Sequence, residues 1–171
     1  MKTFKQLLET MNATLQNDSR IKDEGFYSAV HLDTNSHDIL SKFCIDNFGV
    51  DLPDDVHCTV MYSTKSIDKQ DGINYSKPVY QAYVDHFEFW PGHDKAGYLV
   101  LKLVSSDLQD EHMRLKRCGC KPTFDNYSPH ITIITPIDKS LADLNVKIGN
   151  TKLQDKLVLQ FSNQTVDILK L

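Results

Sequence analysis

The sequence predicts an α+β protein built from two equivalent halves that face each other. Strand candidates outnumber helix candidates, and helices separate only some of the strands, which does not fit a doubly wound parallel sheet. A strand–helix–strand unit occurs twice: Tyr27 stands 30 residues before His57, and Val100 stands 30 residues before His130. The second strand of each unit carries one pattern, His57-Cys58-Thr59-Val60 and then His130-Ile131-Thr132-Ile133. A repeat of this size predicts equivalent positions in two lobes of one domain, residues 1–171, related by a pseudo-two-fold axis.

The elements follow in order. Phe4, Leu7, Leu8, Met11 and Leu15 recur at helical spacing, so residues of about 3–16 read as an amphipathic helix, and a polar linker runs to Gly25. Phe26 to Leu32 is an apolar strand. Ile39, Leu40, Phe43 and Cys44 make the stripe of a helix over 36–48, with Ser36 as N-cap and Gly49 as its stop. The first His-x-Thr strand comes next. Residues 63–78 are polar with an Asp71-Gly72 turn signal, and read as a long exposed loop. Val79 to Trp90 alternates and stops at Pro91-Gly92, so Tyr98 to Val104 is its antiparallel partner. Ser106 and Gln109 form a capping box for a helix over 107–118 that Gly119 closes. The second His-x-Thr strand follows. Finally Leu157 to Phe161 and Thr165 to Leu169 flank Ser162-Asn163-Gln164, a predicted C-terminal hairpin.

Side chains alternate faces along a strand, so His57 and Thr59 point one way while Cys58 and Val60 point the other. The same holds for His130 and Thr132 against Ile131 and Ile133. Each strand is thus anchored by an apolar face and presents one imidazole and one hydroxyl. Two such strands side by side would line a cleft with two histidines and two threonines. That set suits phosphoryl chemistry: one imidazole removes a proton, the other donates one, and the hydroxyls hold the phosphate. Taken singly, a strand histidine is more often structural and a strand threonine a matter of β-propensity. The matched contexts reverse that balance.

This paired signature, one copy in each half of a short chain, resembles the 2H phosphoesterase superfamily over roughly Gly25 to Leu171. The resemblance implies a bilobal fold, two antiparallel-sheet lobes with flanking helices around a central cleft. It implies metal-independent cleavage of phosphodiesters beside a ribose hydroxyl, with His57 and His130 as the acid–base pair and Thr59 and Thr132 as phosphate ligands. Within the superfamily, the amphipathic N-terminal segment, the KDEGFYSAVHLD strand, HCTVMYS, the FEFWPG turn and the C-terminal hairpin look like the phage anti-CBASS nucleases. These degrade cyclic di- and trinucleotide signals of bacterial immunity, so that likeness implies a cyclic oligonucleotide substrate and the host cytoplasm. A cellular type that opens 2′,3′-cyclic phosphates or trims RNA ends is the rival, and an idle nucleotide-binding protein is a further alternative.

Aromatic residues are the expected means of holding a base. Trp90, the only tryptophan, stands where a strand gives way to a turn, while Tyr27 and Tyr127 flank the motif strands. Trp90 could equally be a packing residue, and for the tyrosines packing is the commoner role. Tyr62, five after His57, faces away from the histidine side if its strand is regular. Arg117 and Lys121 are candidate phosphate-facing cations or solvated surface groups. His31, His37 and His86 read as surface or packing residues, His93 as a turn residue and His112 as a helix-face residue. A zinc site using both motif histidines finds no HxxxH or Cys/His spacing and leaves the threonines unexplained, so no metal or cofactor is expected.

Composition is that of an ordinary globular protein, 40% hydrophobic and 25% charged. A net charge of −4 argues against tracking long nucleic acid by phosphate neutralisation, though a small nucleotide in one pocket stays compatible. Cys44, Cys58, Cys118 and Cys120 form neither a disulfide framework nor a CxxC pair, and no signal peptide or membrane-length run is seen, so the cytoplasm is the expected compartment. Oligomeric state does not follow from these features.

Overall fold

The computed structural model describes residues 24–64, 77–92, 96–153 and 157–170. The amphipathic segment over 3–16, most of the polar stretch 63–78, and His93 lie outside them. The elements are β1 (Glu24–Leu32), α1 (Thr34–Phe48), β2 (His57–Ser63), β3 (Tyr80–Pro91), β4 (Ala96–Val104), α2 (Ser106–Arg117), β5 (His130–Asp138), α3 (Lys139–Lys152) and β6 (Val158–Lys170). The fold is α+β, as the sequence predicts.

All strand pairs are antiparallel, and the order β1-β2-β5-β4-β3-β6 closes on itself. Two three-stranded halves are visible in that order, β6-β1-β2 and β3-β4-β5. They join along Tyr80–Tyr83 and Val158–Phe161 on one side, and through Cys58↔Ile131 on the other. In each half a helix connects the middle strand to its neighbour in the repeat: α1 runs from β1 to β2, and α2 from β4 to β5. The strand–helix–strand repeat is therefore present in three dimensions. Its register differs by two residues from the one spacing indicates. Ala29 pairs with Thr59 and Val100 with Thr132, so the equivalent of Tyr27 is Tyr98 rather than Val100.

Helix ends depart from the sequence reading by a residue or more. Asp33 is the N-cap of α1, and its carboxylate accepts from the Ser36 N–H at 2.7 Å. Ser36, the expected cap, is instead buried and its hydroxyl accepts from the Gln160 N–H of β6. Ser105, not Ser106, caps α2 by accepting from the Leu108 N–H. Gly49 closes α1 at φ 67°, a conformation open to glycine at little cost.

Two larger departures occur. The expected C-terminal hairpin is one continuous strand, β6, whose first part pairs with β3 and which runs on along β1. Its Ser162-Asn163-Gln164 segment is a bulge, with Asn163 at φ 53° and a register shift against Ala29/His31. Helix α3, between β5 and β6, has no counterpart in the sequence reading. Its buried residues are Ala142, Asn145 and Gly149, while Leu141 and Leu144 are exposed, so no apolar stripe announces it. A Cβ at Gly149 would run into the Phe87 ring, which is how closely α3 lies on β3.

The core joins Phe26, Val30, Leu40, Cys58, Phe87, Leu99, Leu101, Ile131 and Phe161, all at most 1% exposed. A buried polar network ties α2 to β1 and β6: Gln164 donates to both Ser28 and Glu111 and accepts from the Tyr80 hydroxyl. Arg114 meets the buried Glu111 carboxylate through two bonds of 2.7 Å. Every member has a partner, the condition under which such a network is tolerated in a core.

Candidate active site

The motif strands meet near their N-terminal ends, through the second residue of each. With Cys58 paired to Ile131 in an antiparallel ladder, the next positions set His57 against Thr132 and Thr59 against His130. The two histidines are then diagonal neighbours, roughly 7–8 Å apart in a regular ladder. Cys58, Val60, Ile131 and Ile133 are buried, and His57, Thr59, His130 and Thr132 are half-buried on the opposite face. The alternation expected from the sequence holds at all eight positions.

The two imidazoles are fixed alike. His57 Nδ1 lies 2.7 Å from the Asp55 carbonyl, and His130 Nδ1 lies 2.9 Å from the Ser128 carbonyl. A carbonyl only accepts, so Nδ1 carries the proton in both rings. The neutral form then has its lone pair on Nε2, and the charged form has its second N–H there. Each ring is an acid or base through Nε2. Burial pushes the proton affinity of both below the ordinary histidine value, and the bonds to Asp55 and Ser128 partly offset this. Lys102 and His57 lower His130 further, and Glu88 opposes them.

Beside the motifs lies a cavity of about 550 Å³. Thr59, Tyr27 and Tyr62 line it from one half, and His130, Thr132, Trp90, Tyr98 and Val100 from the other. Tyr127, His112, Phe124 and Ser128 complete the wall. His57 is not part of that wall. It stands next to it, edge-on to Tyr27 at 6.3 Å and 5.6 Å from the His31 ring. The volume falls within the usual range for small-ligand sites.

Each expected aromatic has a defined place. Trp90 packs its ring 4.3 Å from that of His130. Tyr27 is 5% exposed, and its hydroxyl meets Thr59 Oγ1 at 3.3 Å, so it sets the threonine rotamer as well as walling the cavity. Tyr127 stacks on His112 at 4.3 Å with its hydroxyl toward Cys58 Sγ.

Four site residues escape the sequence reading. Tyr62 was expected on the far face, yet it lines the cavity. Ser28 pairs with Met61 and Ala29 with Thr59, so Val60 is an extra residue in β2, and this bulge reverses the alternation beyond it. His112, read as a helix-face residue, is 4% exposed, and its Nδ1 lies 2.8 Å from the Val60 carbonyl at that bulge. Tyr98 becomes visible only when the repeat is aligned by strand register. Lys102, paired with His130 across β4 and β5, brings its Nζ to Ser128 Oγ and to 5.0 Å from the Trp90 ring. Arg117 and Lys121 do not line the cavity and are exposed. Among the described residues no group of three or more His, Cys, Asp or Glu side chains is placed to hold a metal ion, and no helix is long and apolar enough to cross a membrane.

Residues 24–168 match the family model described as "Anti-CBASS protein Acb1". Among curated proteins the chain is similar to the anti-CBASS protein Acb1 of Vibrio phage KVP40, at 30% identity over 90 residues. That alignment covers 50% of this chain and 57% of the phage protein, so the chain spans little more than half of that relative's length. Among solved structures it is similar to Usb1 of Kluyveromyces marxianus, with 12% identity, a TM-score of 0.44 and coverage of 88% of this chain and 99% of that one.

Proposed function

The chain belongs to the Acb1 anti-CBASS family, and on that premise we propose that it is a metal-independent phosphodiesterase that cleaves 3′–5′ linkages of cyclic di- or trinucleotide signals in the cytoplasm of an infected bacterium. The observation that carries this reading is the Cys58↔Ile131 pairing. It sets two Nδ1-pinned imidazoles and two hydroxyls head to tail beside an aromatic cavity.

The chemistry needs an attacking oxygen, and the ribose 2′-hydroxyl next to the scissile phosphate supplies it. The Nε2 of one histidine, neutral, takes the hydroxyl proton as O2′ bonds to phosphorus. The Nε2–H of the other gives its proton to the leaving O5′. A 2′,3′-cyclic phosphate and a free 5′-hydroxyl result, and the pair in exchanged roles can add water to give a 3′-phosphate. Thr59 and Thr132, one beside each histidine, donate to the non-bridging oxygens, where negative charge grows in the transition state. Trp90, Tyr27 and Tyr127 shape the space that a base and ribose fill.

The rival reading is an RNA-end-processing 2′,3′-cyclic phosphodiesterase, and competition separates the two. Equal concentrations of a cyclic ribodinucleotide, a cyclic ribotrinucleotide and a linear RNA of tens of nucleotides are given to the protein, and initial rates are compared. A cyclic substrate should be consumed first, because the net charge of −4 disfavours binding along a polyanion. Faster cleavage of the linear RNA would replace the signal-degrading reading with the rival. Binding of cyclic nucleotides without turnover would favour an idle binder.

A further inference from the structure

We propose that Lys102 is a positioning residue that makes His130 the proton acceptor in bond cleavage and leaves His57 as the donor, a division of roles that rests on the phosphodiesterase reading above. The pseudo-symmetry of the fold brings the asymmetry into view. In β1, His31 is the register partner of His57; in β4, Lys102 is the register partner of His130. Two otherwise matched halves thus place an imidazole beside one histidine and an ammonium group beside the other.

Lys102 is built into the setting of His130. Its ammonium donates to Ser128 Oγ, and the Ser128 carbonyl accepts the His130 Nδ1–H. The same ammonium lies 5.0 Å from the centroid of the Trp90 ring, which in turn packs 4.3 Å from the imidazole. One hydrogen bond and one cation–π contact hold the cation in place, and both run to groups that touch His130.

The charged groups facing each ring favour unequal protonation. Around His130, burial acts first against the imidazolium, the Ser128 carbonyl opposes it, Lys102 from β4 and His57 from β2 add to the loss, and Glu88 from β3 opposes. Around His57, burial also acts against the charged form, while Asp55 favours it through both its carbonyl and its carboxylate. Burial and a carbonyl bond are common to both rings, and the Lys102 cation beside His130 is what sets them apart, so in the proposed division a single shared proton rests on His57. In that state His130 Nε2 accepts the 2′-hydroxyl proton as the O2′–P bond forms, the P–O5′ bond breaks, and His57 Nε2–H protonates O5′. When water then adds, His57 takes its proton, the P–O2′ bond breaks, and His130 returns a proton to O2′. The resting protonation is restored, and Lys102 favours this return.

Two measurements test the proposal. In the first, the histidine ring signals are titrated by NMR in the wild-type protein, Lys102→Met and Lys102→Arg, without substrate. The Met variant keeps the apolar stem and drops the charge, so the His130 midpoint should move to higher pH while Arg holds it near wild type. The acidic limb of kcat/KM, which reports the base, should move the same way. An unmoved His130 in the Met variant, or Arg behaving like Met, would overturn the role of Lys102. In the second, a ribonucleotide diester with sulfur in place of the leaving O5′ needs little help from an acid. His57→Ala should come within about tenfold of wild type on it, while His130→Ala stays down by ~10² or more on both substrates. The reverse pattern would overturn the division of roles. A wild-type protein inert toward both diesters would overturn the phosphodiesterase reading itself and the roles with it, whereas the titration reads Lys102 without any turnover.

Discussion

At the scale of single residues, the site is a pair of imidazoles whose tautomers are set by backbone carbonyls two positions upstream. Asp55 does this for His57 and Ser128 for His130. The proposed mechanism uses the pair as a unit, so His57→Ala and His130→Ala should each reduce turnover on the oxygen diester by ~10²–10⁴ with the fold intact, and the double variant should be little worse than either. Near-wild-type rates in both single variants, with circular dichroism unchanged, would remove the two histidines from the chemistry. These residues were legible in the sequence because period-2 alternation around His57 and His130 needs only the local strand. Tyr62 and Lys102 were not. The first depends on a bulge opposite Ser28/Ala29, and the second on which strand lies beside β5. Both are facts of pairing between strands distant in sequence, which no local periodicity records.

At the scale of elements, the caps explain why the helices begin where they do. Asp33 accepts from the Ser36 N–H and also donates its own N–H to the Gln160 carbonyl of β6. Asp33→Ala should cost about 0.5–2 kcal/mol of stability by losing the side-chain bond alone. The check is a lower denaturation midpoint with an unchanged m-value, and an unaltered midpoint would contradict the cap. The sequence reading chose Ser36 because Ser is also a good cap and the apolar stripe begins after it. It missed α3 because a helix that buries Ala142, Asn145 and Gly149 shows no apolar periodicity. It split β6 because Ser162-Asn163-Gln164 has turn composition, and a bulge uses the same residue types as a turn.

At the scale of the whole molecule, the repeat and the α+β class were legible, and the closure of the two halves into one ring of strands was not. Closure depends on the β3–β6 and β2–β5 pairings, which join distant segments. Burial within this fold also sets its response to acid. His31, His57, His112 and His130 all hold protons less readily than a free histidine, first because burial disfavours the charged ring. The unfolded chain therefore takes up protons near pH 6.5 before the folded one does. Stability from these groups is present above about pH 6.5 and falls as pH drops below it through the lowered folded values. Melting temperatures at pH 7.5 should exceed those at pH 5.5, and a flat profile across that window would contradict the burial of these rings.

Paired histidines that open a cyclic oligonucleotide through a ribose 2′-hydroxyl, with no metal, are the core of the proposed mechanism. Its most direct test is product mass from a cyclic ribodinucleotide and its 2′-deoxy analogue, each incubated with the protein in excess chelator. Linear products ending in a 2′,3′-cyclic phosphate or 3′-phosphate are expected from the ribose form, and an intact ring from the deoxy form. Cleavage of the deoxy ring, or activity lost in chelator and restored by zinc or manganese, would contradict it.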